Sequence, residues 1–204
     1  MTRESVMSGK EAGADLVSLG KRIRGARLER SMTLENLAKT AGVSKSVLSQ
    51  VERGTTNPTL STLWNVAKAL ALDPLELFGG DGPALQGEDG RESLISLVDS
   101  PVIDNQAAKY RLVILNAPEL AGVSELYRLV LRSGGVLDSK PHERGAVEQL
   151  TVLSGEVEVR CGSDRLRLQP GRTARYAADV AHAIAAVGKR NAEALLFVNF
   201  VKSK

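Results

Sequence analysis

The hydrophobic period of this chain changes once, and that change limits the folds open to it. Up to Phe78 the apolar residues recur at helical spacing, as in Leu16, Leu19, Ile23 and Ala26, or in Leu60, Leu63, Ala67 and Leu70. Beyond residue 91 the repeat shortens to two. Residues 94–98, 110–116, 123–132, 147–154, 156–161, 164–169 and 192–201 all read as strands. A helical stripe and a strand face are buried in different ways, so the pattern predicts an α unit followed by an all-β unit. Five glycines between positions 79 and 90, with no apolar period, mark residues 79–91 as a linker. Residues 1–14 are small, polar and aperiodic, and read as a disordered tail. The expected layout is a tail (1–14), a helical domain (15–78), the linker (79–91) and a barrel or sandwich (92–204).

Capping residues divide the helical part. Thr33 caps a helix that stops at Gly42, and Ser44 opens a second that stops at Gly54. Asn57-Pro58 marks a loop, Thr59 starts another helix, and Pro74 sits in the first turn of a short last one. In the β part, Ser154-Gly155 and Gly162-Ser163 read as hairpin turns.

Charge is unevenly spread. Residues 15–72 carry nine Lys/Arg against four Asp/Glu, a net of +5, whereas residues 79–204 carry sixteen of each. A basic helical unit fits a polyanionic partner. The chain has two histidines, His142 and His182, and one cysteine, Cys161. This excludes a three-histidine metal site within one chain, an intrachain disulfide and a Cys-rich zinc site. No apolar run reaches the roughly 18 residues of a membrane helix. The first residues lack the apolar stretch of a signal peptide. With a lone thiol, the expectation is a cytoplasmic protein without a membrane partner.

The segment from Thr33 to Gly54 carries the chemistry of the first unit. In its second helix Val43, Val47, Leu48 and Val51 form the apolar side, opposite Lys45, Ser46, Ser49, Gln50 and Arg53. That second face is polar, with small residues along it, and can enter a major groove. Gln50 can pair bidentately with adenine, Lys45 can donate to guanine, and serines serve bases or phosphates. A generic helical bundle shares the apolar period but not this face. Residues 19–78 resemble the five-helix XRE, or lambda-repressor-like, helix-turn-helix domain, most closely along residues 34–70. The resemblance implies that Ser44, Lys45, Ser46, Ser49 and Gln50 face DNA, and that Thr33, Arg53 and Asn57 meet phosphates. It also implies a structural pair between Arg27 and Glu52. Such domains bind as homodimers to palindromic operators with half-sites about 34 Å apart.

Residues 94–201 resemble a cupin, a small double-stranded β-helix barrel whose mouth holds a ligand or metal. The first motif lies in residues 133–159 and the second in residues 168–188. His142, Glu148 and His182 match the motif histidines and glutamate, while Lys140 occupies the position of the absent first histidine. The spacing resembles a subgroup of XRE-cupin regulators that includes the sulfur-utilisation type. The expected ligand-binding residues are His142, Glu148, His182, Lys140 and Tyr176. Glu148 shares a strand phase with Leu150 and Val152, so its carboxylate points inward and needs a partner. Three readings of the cluster stay open: one divalent metal held by His142, Glu148 and His182, a metal-free effector pocket, or a satisfied polar core. Arg160 alternates with Val157, Val159 and Cys161, which places Arg160 outside and Cys161 in the core. The expected function is a one-component transcriptional regulator, not an enzyme. Its helical domain binds operator DNA and its barrel senses an effector such as an amino acid, polyamine or sulfur compound. A DNA-tethered cupin metalloenzyme and a repressor whose barrel only dimerises are the other two readings.

Overall fold

The structure, a computed structural model, describes residues 13–72, 74–78, 100–117 and 120–200. The linker at 79–91, the strand expected at 94–98 and residues 1–12 of the tail lie outside the described residues.

Four α-helices open the described chain: α1 (Leu16–Glu29), α2 (Leu34–Ala41), α3 (Lys45–Glu52) and α4 (Leu60–Ala69). The short fifth helix is a 3-10 turn, Pro74–Phe78. Each α-helix starts where a side-chain oxygen satisfies an amide left free by the first turn. Asp15 accepts from Ser18 N, Thr33 from Asn36 N, Ser44 from Val47 N and Thr59 from Thr62 N. Gly42 ends α2 with φ 66°, a left-handed conformation that a glycine adopts without penalty. The faces of the helices meet in a core of Leu19, Ile23, Leu37, Leu48, Leu60, Leu63 and Leu70. One assignment changes: Val47 is exposed. The buried side of α3 is set by Leu48 and Val51, three residues apart. Val47 lies about 100° round the helix from Leu48, towards the polar face.

Two features fix α1 against α3. A Cβ on Gly20 would strike the carbonyl oxygens of Val51 and Glu52, so the two backbones touch there. Two turns along α1, Arg27 grips Glu52 with Nε to Oε1 at 2.6 Å and Nη2 to Oε2 at 2.8 Å. Its Nη1 donates to Met32 O at 3.0 Å. The side chains are only 10% and 7% exposed, so each charge depends on the other.

The β part has two sheets. One runs β1-β2-β3-β4-β11-β6-β9: Gly13–Asp15, Val102–Asn105, Tyr110–Ile114, Ser124–Leu131, Ala192–Asn199, Val147–Ser154 and Thr173–Ala177. The other runs β5-β10-β7-β8: Val136–Ser139, His182–Ala186, Val157–Cys161 and Asp164–Leu168. Their inner faces share Leu129, Leu131, Leu150, Val152, Val157, Ile184 and Leu196. β2, β5, β9 and β10 add to the strands expected from sequence. They have only four or five residues each, and β10 (HAIAA) is poor in β-branched side chains.

Two further expectations are corrected. Gly13 and Ala14, placed in the tail, belong to β1, which pairs in parallel with β2 from Gly13↔Val102 to Asp15↔Asp104. The open edge of β2 supplies the hydrogen-bonding groups that hold them. Cys161, expected in the core, is half-buried at the end of β7, with Sγ 3.2 Å from Ala177 O. Inward alternation ends there because the hairpin turn follows at once.

Replacing Arg27 with Met strands the buried Glu52 carboxylate. We expect a loss of about 3–5 kcal/mol in urea unfolding, largely recovered when Glu52 is also replaced by an apolar residue. Equal losses in the single and double variants would show that packing, rather than the charge pair, holds α1 to α3.

Candidate functional site

The first candidate site is the outer face of α3. Lys45, Ser46 and Arg53 are exposed, and Ser49 and Gln50 are half-buried. Lys45 Nζ lies 3.2 Å from Glu35 Oε2, and Arg53 donates to Ser49 Oγ at 2.6 Å. Ser44 and Thr33 use their hydroxyls as caps, which places both beside helix N-termini whose amides suit phosphate oxygens. Asn57 is half-buried in the loop after α3, with its Oδ1 buried.

The second is a cluster inside the barrel, where β6 and β9 place Glu148 opposite Tyr176. Glu148 is 2% exposed and His182 3%. Glu148 Oε1 lies 3.0 Å from His142 Nε2 and 3.1 Å from His182 Nε2. Its Oε2 accepts from the Tyr176 hydroxyl at 2.6 Å. The loop carrying His142 is anchored by His142 N donating to Ala178 O at 2.8 Å. The His142 ring is tilted 58° to that of His182 and meets Phe200 edge-on, with ring centroids 5.2 Å and 5.9 Å away.

One contact fixes the electronics of the cluster. His182 Nδ1 lies 2.8 Å from Val180 O, which can only accept, so Nδ1 carries a proton. Nε2 is thereby aimed at Glu148. Two arrangements satisfy it: an imidazolium donating to the carboxylate, or a cation between them that takes both lone pairs. Burial disfavours charge on either partner, and hydrogen bonding outweighs it. Glu148 falls to about 2 through the bonds from His142, His182 and Tyr176, in that order, and His182 rises above its ordinary value through its bond to Glu148. Burial, followed by the charge of Glu148, pushes the Tyr176 hydroxyl well up, so it stays a donor. The two imidazole nitrogens and the carboxylate oxygen all lie within 4.8 Å of one another, a donor set that fits a divalent metal.

Of the expected ligand residues, His142, Glu148, His182 and Tyr176 come together and Lys140 does not. Lys140 Nζ instead donates to Gln50 Oε1 at 2.8 Å, across to the recognition helix. Arg160 is exposed, as expected, and pairs with Glu158.

Sequence reasoning missed Glu125. This residue of β4 is 2% exposed, and its Oε1 accepts from Ser61 N at 2.9 Å, at the start of α4. Tyr127 donates to its Oε2 at 2.7 Å. A carboxylate of the barrel thus meets the positive end of a helix in the other domain. The signal was present in the strand 124–131, where Glu125 shares the inward phase of Tyr127, Leu129 and Leu131.

A basic helix-turn-helix unit joined to a small two-sheet barrel with a His/Glu cluster defines a DNA-binding protein with a cupin domain. Known sequences agree. Residues 23–77 match the helix-turn-helix family and residues 127–198 the cupin domain family. The HTH-type transcriptional regulator SutR of Escherichia coli (strain K12) is 30% identical over 164 residues, 80% of this chain and 84% of that one. The HTH-type transcriptional regulator PuuR of the same organism is 24% identical over 156 residues, 76% of this chain and 80% of that one. The crystal structure of an HTH_3 family transcriptional regulator from Vibrio cholerae shares the fold, with a TM-score of 0.51 at 24% identity, over 92% of this chain and 97% of that one. The chain belongs to the XRE family of HTH-type transcriptional regulators and carries a C-terminal cupin domain. Among the described residues, no helix is long and apolar enough to cross a membrane.

Burial raises Glu125 above its ordinary value, against the pull of the Tyr127 hydroxyl, the Ser61 and Leu60 amides and nearby His142. A carboxyl raised in this way stabilises the fold fully below its unfolded value, and the contribution is lost as pH rises through the folded value. Glu125→Gln stays neutral. Its stability relative to the parent protein should therefore improve as pH rises above the ordinary glutamate value of about 4 in urea unfolding. A gap that stays constant, or moves the other way, would remove ionisation of Glu125 from the energetics of the seam.

Proposed function

We propose that this regulator reads a palindromic operator as a homodimer through α3, and that its barrel binds a small effector at the His142–Glu148–His182–Tyr176 cluster. The observation that carries the DNA half is the outward polar face of α3, buttressed from behind by the Arg27–Glu52 pair. Gln50 and Lys45 are assigned base contacts, Ser46 and Ser49 base or phosphate contacts. Thr33, Ser44, Arg53 and Asn57 are assigned the backbone. One recognition helix spans few base pairs, and pairing two of them supplies the remaining specificity. Its place of work is the compartment that holds the DNA.

In the barrel, His142, Glu148 and His182 are the residues that would hold one divalent metal. Such a metal supplies open coordination positions for an oxygen, nitrogen or sulfur group of the effector. Val180 O fixes the His182 tautomer, and Tyr176 holds the second carboxylate oxygen, so both orient the donors. Amino acids, polyamines and sulfur compounds are the effector classes in view. The role assigned to the barrel is recognition rather than turnover. Binding shifts operator affinity only in so far as the effector binds the two states differently.

Two measurements test these assignments. In fluorescence anisotropy with a promoter fragment bound by the parent protein, Gln50→Ala should weaken specific binding about tenfold to a hundredfold. Binding to scrambled DNA should hardly change, and equal effects on both fragments would remove base reading from Gln50. Elemental analysis of protein purified without a histidine tag should find one divalent metal in the parent protein, and a deficit in Glu148→Ala and His182→Ala. Equal metal in all three would move the metal elsewhere. No metal in any, with a thermal shift by effector retained, would leave the metal-free pocket.

A further inference from the structure

Among the described residues, two side-chain contacts run from the barrel to the helical domain. Lys140 Nζ donates to Gln50 Oε1, and Glu125 accepts from the first turn of α4. Lys140 is separated from His142 by Pro141 alone. The proline fixes its own φ and restricts the backbone of the residue before it, so this link is stiff. At its far end His142 is held by Ala178 O and by Glu148. The segment that brings Lys140 to α3 is therefore positioned by the ligand cluster itself.

The recognition face is covered unevenly. Lys45, Ser46 and Arg53 are exposed, whereas Ser49, bonded by Arg53, and Gln50, bonded by Lys140, are half-buried between them. A duplex lying along this face must reach Gln50, whose acceptor oxygen is already engaged by a residue of another domain.

We propose that the docked arrangement is an autoinhibited state, in which Lys140 caps Gln50 in the middle of the recognition face and must withdraw from it before operator binds. The proposal rests on the assignment of α3 as the DNA-reading helix. A single exposed hydrogen bond from Lys140 holds little by itself. Glu125 supplies the stronger attachment, because it is buried, bonded to Ser61 N and held by Tyr127. Lys140 is the cover and Glu125 the fastening. An occupant of the cluster that draws His142 toward itself moves Lys140 through one rigid residue, which connects the barrel to the DNA face without a signal through the linker. Only the fraction of molecules with the cover withdrawn binds DNA, so apparent affinity scales with that fraction.

The test is operator affinity of the full-length, effector-free protein at fixed salt. Lys140→Ala should tighten binding about twofold to tenfold, with an unchanged melting temperature. Glu125→Ala should tighten it as well, with a lower melting temperature. Unchanged affinity in Lys140→Ala overturns the proposal. Weaker affinity with a shallower salt dependence also overturns it, and makes Lys140 a phosphate contact instead. Gln50→Ala made in the Lys140→Ala protein, where the Lys140 link is already gone, separates the two levels of inference. If the double variant binds operator like Lys140→Ala, the assignment of α3 fails. If it weakens binding while Lys140→Ala leaves binding unchanged, α3 stands and autoinhibition falls.

Discussion

Glu125 belongs to the barrel by sequence and to α4 by chemistry. A buried carboxylate is tolerated only where donors meet it, and these come from both domains: the Ser61 amide from one and the Tyr127 hydroxyl from the other. The relation between the DNA face and the ligand cluster depends on this meeting. Without it, the approach of Lys140 to Gln50 loses the buried attachment that Glu125 supplies in the seam between the domains. The same logic recurs at the other two deeply set carboxylates. Glu52 is met by Arg27 and fixes the recognition helix, and Glu148 is met by two imidazoles and a phenol and organises the barrel interior. Among the described residues these three carboxylates, one in the helical domain and two in the larger sheet of the barrel, tie down the elements that carry the two candidate sites.

Much of this was legible beforehand. The α-then-β order follows from the change of period, and the starts of α2, α3 and α4 follow from Thr33, Ser44 and Thr59. Glu148 could be placed inside because Leu150 and Val152 share its phase. The association of His142 with His182 came from motif resemblance, since 39 positions separate them in the chain and no local pattern links them. What escaped was everything between domains. The contacts of Glu125 with α4 and of Lys140 with Gln50 span 64 and 90 positions, and periodicity carries no information at that range. Val47 and Cys161 were misplaced for a smaller reason. Both sit where an alternation or a helical stripe is about to be redirected, one beside the face of α3 and the other at the end of β7.

The cluster and the recognition face differ in how they are held. Gln50, Lys45 and Arg53 lie at or near the surface, where long side chains keep rotameric freedom until a partner orders them. The cluster is ordered in advance by Val180 O, Ala178 O and Tyr176, which leaves its members little freedom to lose on binding. The two candidate sites thus differ in the conformational entropy each has left to lose when a partner arrives.

The pairing of β1 with β2 changes the topology of the whole chain. Because Gly13–Asp15 lies against Val102–Asp104, the chain enters the helical domain from the same sheet in which it resumes as β2. The helical domain is then less a bead on a string than an insertion between two neighbouring strands, tethered at both ends. A helical unit anchored at Asp15 as well as through the chain beyond Phe78 stays near the barrel at high effective concentration.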